Sequence, residues 1–205
     1  MAPLSRSLEL LESAVAYTLG VAVLGTPELM RRPTPCPGWD LETLLGHVTD
    51  SIAVLHDAIG GGGIASAAAS ERRVPHTEEP WLDPVVRLHH EATGLLSAFA
   101  VAGPAERRIA IWDRDLSQGM VAVTGAIEIA VHGWDISIAC GAQQPVPSGL
   151  AAVLLPIAPL LVTPATRPGL FADAVPLFGP ACPGDQLVAF LGRSPRNTVP
   201  LGIGG

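Results

Sequence analysis

Cations are scarce in this 205-residue chain: 12 Lys and Arg stand against 19 Asp and Glu, giving a formal net charge of -7 at pH 7. No basic stripe remains to neutralise a run of phosphates, so no nucleic-acid partner is expected. Aromatics are scarce as well, with one Tyr and four Phe, which removes the interleaved rings on which single-stranded bases would stack. The three cysteines, Cys36, Cys140 and Cys182, are odd in number and widely spaced. That argues against a disulfide framework and against a CxxC zinc pair, and fits a reduced cytoplasm. Cys36 and Cys182 each open a Cys-Pro-Gly triplet and read as ordinary semi-buried loop thiols rather than ligands or nucleophiles. The apolar segment 14–24 follows Glu9 and Glu12 and precedes no small-residue cleavage site, so it reads as a buried helix and not as a signal-peptide core. Nothing else approaches the roughly 20 apolar residues that span a bilayer without Gly, Pro or charge. A soluble, cytoplasmic protein with no membrane partner is expected.

What is present is a globular composition, 48% apolar and 15% charged, in a chain long enough for one sizeable core. Apolar residues Leu8, Leu11, Ala14, Val15, Thr18, Val21 and Ala22 recur near a period of 3.6 and predict a first helix over 4–24. The run 31–38, with three prolines and a glycine, must be a rigid loop. Asp40 looks like an N-cap for a second helix over 40–59, whose stripe is Leu41, Leu44, Leu45, Val48, Ile52 and Leu55. Gly60 to Gly63 end it, and the small residues through Ser70 read as a flexible connection. A third helix begins at Asp83-Pro84 and runs to about Val101. A short mixed stretch, 108–116, leads to a fourth over 117–140, closed by Gly141. Beyond it, a helix-like segment over 148–162 must be kinked or broken by Pro156 and Pro159, and the rest is rich in Pro and Gly. The predicted fold is all-α: a four-helix bundle over about 4–141 with a short C-terminal extension over about 142–205, together one domain spanning 1–205.

Glu128 and His132 stand four residues apart in the fourth helix and so project from one face. Their neighbours are Ile127, Ile129, Ala130, Val131 and Trp134, and a carboxylate in such apolar surroundings calls for a cation. His47 sits amid Leu44, Leu45, Val48 and Ile52 in the second helix and can supply a third ligand from a facing helix. Two imidazoles and a carboxylate suit zinc best, with nickel or ferrous iron as alternatives. Three protein ligands leave a position open for water or substrate. The competing reading has each histidine hydrogen-bonded in the core and Glu128 reaching solvent.

The run Pro33-Thr-Pro-Cys-Pro-Gly-Trp-Asp-Leu-Glu-Thr-Leu-Leu-Gly-His47-Val resembles the second-helix signature of the DinB-like superfamily. The similarity is to its actinobacterial branch related to the N-terminal domain of mycothiol-dependent maleylpyruvate isomerase. Gly119-Met120 with Glu128-Ile-Ala-Val-His132-Gly-Trp134-Asp135 looks like that branch's fourth-helix motif, and Asp185-Gln-Leu with Gly192-Arg-Ser-Pro195 resembles its ending. The resemblance implies a DinB-like four-helix bundle with a metal site on His47, Glu128 and His132. It further implies mycothiol, or a similar low-molecular-weight thiol, as cosubstrate in transfer to, or isomerisation of, a small electrophile. The full isomerase carries a further domain with a catalytic arginine, for which this chain is too short, so that particular isomerisation is not expected.

Two rival functions stay open on the sequence: a non-catalytic metal- or ligand-binding module, and a metal-dependent hydrolase using metal-bound water. So does the oligomeric state, a homodimer included. Asp135, three residues beyond His132, lies near the same face and either orients a histidine or faces solvent at the helix end. Trp39 and Trp134 read as packing residues. His89 and His90 diverge around their helix, and His56 lies on the face opposite His47. Arg72-Arg73 and Arg107-Arg108 read as solubilising cations.

Overall fold

The fold is described from a computed structural model, which covers residues 3–61, 63–64, 83–102, 107–111, 114–168 and 171–195. Four long helices, α1 (Pro3–Ala22), α2 (Leu41–Gly61), α3 (Pro84–Val101) and α4 (Gln118–Ala139), form the bundle. They close a ring: α1 packs on α4 and α3, and α2 packs on α3 and α4. The periodic stripes face inward as the spacing requires. Leu11, Ala14, Val15, Val21 and Ala22 of α1 meet Leu41, Leu44, Leu45, Val48 and Ile52 of α2, and Leu88, Leu95 and Phe99 of α3, in one buried cluster.

Each start has a chemical cause. Asp40 accepts from the Thr43 amide at 2.9 Å and from its hydroxyl at 2.6 Å, which satisfies an otherwise orphaned N–H of α2. Asp83 caps α3 through Val85 N, with Pro84 in the first turn. Ser117 caps α4 through Met120 N. Helix α4 is buried almost all round. By length and composition it is apolar enough to cross a membrane, yet most of it is enclosed by the other helices, which is what a central bundle helix requires.

The stretch 108–116, which carries no periodicity, is a hairpin in the structure. Strands β2 (Arg108–Ile111) and β3 (Arg114–Ser117) pair antiparallel, and β1 (Gly63–Ile64) adds to β2 in parallel, in the order β1-β2-β3. Buried Ile109 ties the hairpin to the core. The flexible connection expected through Ser70 and the pair Arg72-Arg73 lie almost wholly outside the described residues, apart from β1.

The segment 148–162 is broken as its prolines demand, into α5 (Ser148–Leu154) and α6 (Ala158–Leu161). Helix α5 packs on α1 and α4. The extension holds one more helix, α7 (Pro183–Phe190), which packs on α5 and which composition alone concealed. Its eight residues begin with a proline in the first turn and are capped by the Cys182 sulfur, which accepts from Asp185 N. Gly192 closes it with a φ of 85°. Gly192 N bonds Ala189 O and Arg193 N bonds Val188 O, the pairing that ends a helix on a left-handed residue.

Candidate metal centre

His47 in α2 and Glu128 and His132 in α4 come together. Both imidazole Nε2 atoms stand 3.2 Å from the same carboxylate oxygen, Glu128 Oε1, and the three donor atoms lie within 4.8 Å of one another. Atoms bound at about 2.0–2.1 Å to one tetrahedral ion stand roughly 3.3 Å apart. The spacing is therefore compatible with a single metal ion at their meeting point. The His132 side chain is 9% exposed, whereas His47 and Glu128 keep 37% and 32%, so the cluster is closed behind His132 and open beside the other two.

Behind His132 the ring's second nitrogen is engaged. Nδ1 lies 3.0 Å from Asp135 Oδ2, and the Asp135 side chain is fully buried. Arg193, from the turn after α7, donates Nη2 to Oδ2 at 2.9 Å and Nε to Oδ1 at 3.4 Å. The Cys36 thiol donates to Oδ2 at 3.3 Å and lies 3.9 Å from His132 Nδ1 and 3.8 Å from Arg193 Nη2. Cys36, His132 and Asp135 have the composition of a second metal group. The Arg193 guanidinium already supplies that pocket with a cation.

The loop before α2 brings Cys36 and Trp39 to the cluster. Pro33 bridges Asp40, Thr34 N bonds Trp39 O at 3.0 Å, and Trp39 N bonds Cys36 O at 3.1 Å, with Gly38 at a φ of 81° allowing the reversal. The Trp39 ring lies 4.6 Å from the His47 ring and 6.3 Å from that of His132. Cys36 is a semi-buried loop thiol, as its triplet suggested, and it also joins the hydrogen bonds around Asp135. The reading of Trp39 as packing also needs extending, because what it packs on is the two histidines. His56 stays away, against Gly94 of α3, and His89 and His90 are exposed. Arg107 is spent on the Ile59 carbonyl and Arg108 on Asp115. Sequence reasoning assigned no role to Arg193; 58 residues separate it from Asp135, and no local pattern links them.

The electrostatics follow from these contacts. Withdrawal from water opposes the Glu128 charge, yet hydrogen bonds from His132 and His47 outweigh it and hold the carboxyl far below its ordinary 4.5. Burial likewise opposes charge on His132, but Asp135, Cys36 and Glu128 outweigh it and raise the imidazole well above 6.5. Asp135 is held below 3.8 against its burial by His132 and Arg193.

A family model described as mycothiol maleylpyruvate isomerase N-terminal domain matches residues 11–137, more than half of the chain. The chain belongs to this family. His47, Glu128 and His132 all fall inside the part that matches the mycothiol maleylpyruvate isomerase N-terminal domain, whereas α5 to α7 and Arg193 fall beyond it. Two uncharacterized proteins of Mycobacterium tuberculosis, from strains CDC 1551 / Oshkosh and H37Rv, are each 29% identical over 167 residues, 80% of this chain and 85% of theirs. No solved structure matches the chain.

Proposed function

We propose that His47, Glu128 and His132 hold one divalent ion, zinc in the first instance, in an enzyme that joins a low-molecular-weight thiol such as mycothiol to a small electrophile or isomerises it. Convergence of two imidazole nitrogens and one carboxylate oxygen at a half-open point carries this reading. Membership of a family described by mycothiol supports the choice of thiol. A bound ion would supply the Lewis acidity that ionises a thiol well below its free pKa of about 8.5.

The chain's own residues do the rest. His132 offers Nε2 while Asp135 holds Nδ1, and Glu128 brings the negative charge that offsets the cation. His47 and Glu128 keep one side open to a small ligand, and Trp39 covers both rings as an apolar wall that limits water. A structural zinc site would be closed by four protein ligands; here the open side favours exchange of a bound small molecule.

Protein purified without chelator or affinity metal should carry about one zinc, nickel or iron ion per chain, and His47→Ala, Glu128→Ala and His132→Ala should each abolish tight binding. Cobalt-substituted protein should develop intense charge-transfer absorption on adding mycothiol, with proton release at neutral pH. Undiminished metal content in all three variants defeats the assignment of ligands. A cobalt spectrum indifferent to millimolar thiol defeats the thiol chemistry and turns attention to water or to a binding role.

A further inference from the structure

Asp135 is a fully buried carboxylate, and every donor that reaches it has another attachment in the site. Arg193 contributes two nitrogens to its two oxygens and a third, Nη1, to its own Leu191 carbonyl at 2.8 Å. The guanidinium is thereby fixed by its own turn and aimed at α4. That turn depends on Gly192, where a Cβ would stand 2.7 Å from Ala172 O at a φ of 85°. Because Asp135 only accepts, His132 presents its Nδ1–H to it, which directs Nε2 toward Glu128 and the meeting point of the three donors.

We infer that Arg193 is a positioning residue of the metal centre: through Asp135 it fixes the ring orientation and tautomer of His132, so that the segment after α7 is a working part of the site. The inference rests on His132 being a ligand. It extends the site to a residue outside the span that matches the family. It also gives the extension a task that packing alone does not require, since α5 already joins it to α1 and α4.

Zinc affinity, measured by competition with a chromophoric chelator, and the ligand-field spectrum of the cobalt form provide the test. Arg193→Lys keeps the charge but loses the two-pronged donor, and Asp135→Asn keeps the shape but weakens the acceptor. Each should lower zinc affinity roughly 10–100-fold and shift the cobalt bands. The double variant should lose little more than the worse single one, because both act through one set of hydrogen bonds. Arg167→Lys is the control for mere support: Arg167 ties the same extension together through the Ala172 and Phe190 carbonyls but does not touch Asp135. It should lower the melting temperature and leave zinc affinity unchanged. If Arg193→Lys binds zinc as the parent does, or if Arg167→Lys loses as much affinity, the inference falls. Failure of the parent protein to bind any ion overturns the ligand assignment instead, and the two failures are told apart by that one measurement.

Discussion

His132 uses both ring nitrogens, and the two sides answer pH in opposite senses when metal is absent. Its folded pKa is raised above 6.5, so its contribution to stability is complete below that value and fades as pH rises through the raised one. Glu128 and Asp135 are held below their ordinary 4.5 and 3.8. Their contributions are complete above those values and fade as pH falls through the lowered ones. The chelated protein should therefore gain most from this cluster between pH 4.5 and 6.5, read as the highest urea midpoint in a pH series. If His132 is a ligand as proposed, zinc must displace its proton, and the midpoint increase that zinc causes should grow from pH 5 to pH 8. An increase that stays flat over that range would remove His132 from the ligands. Part of this was legible in the sequence: the spacing from Glu128 to His132 to Asp135 put three groups on one face of one helix. What no spacing could show was the guanidinium that arrives from position 193 or the thiol from position 36.

Among the elements, α1 and α4 approach closely at Gly133, next to His132. A Cβ there would stand 2.4 Å from Thr18 Oγ1 and 3.0 Å from the Tyr17 ring, and Thr18 is itself bonded to the Ile129 carbonyl at 2.8 Å. Gly133→Ala has no room unless Thr18, its hydrogen bond or the helices themselves shift, at a cost of about 1–3 kcal/mol. Denaturant unfolding of the variant measures that cost; a loss below about 0.5 kcal/mol, the range of ordinary surface substitutions, would mean the approach is looser than described. The long helices could be read because stripes such as Leu41, Leu44, Leu45 and Val48 repeat over several turns, and because Asp40, Asp83 and Ser117 mark their starts. The hairpin could not, since its strands are four residues each and mix Arg108 with Ile109, too short a stretch to establish a period. Helix α7 escaped because Pro183 and Gly184 resemble a turn, although a proline is favoured in a first helical turn.

For the molecule as a whole, the core and the candidate site are separable. Leu11, Leu44, Leu88, Leu95, Ile129 and Ile136 are fully buried in one apolar cluster, so the bundle should stay folded on chelation. Free zinc at one hundred times its Kd should add about 2.7 kcal/mol, a rise of roughly 5–10 °C in the melting temperature for a chain of this size. Circular dichroism of the chelated and zinc-loaded forms checks both statements. Loss of the helical signal on chelation would make the ion structural and would count against an exchangeable position.

Cys36 and Arg193, 157 residues apart in sequence, meet at the same carboxylate, and this separation in the chain is also a separation in time. At about 5–20 residues per second of synthesis, His47 leaves the ribosome on the order of ten seconds before Arg193 does. During that interval the helices can form, and the donors of α2 and α4 can meet, while Asp135 still lacks its guanidinium. In the order of synthesis, the turn that closes α7 is therefore the last part of this carboxylate's surroundings to be delivered.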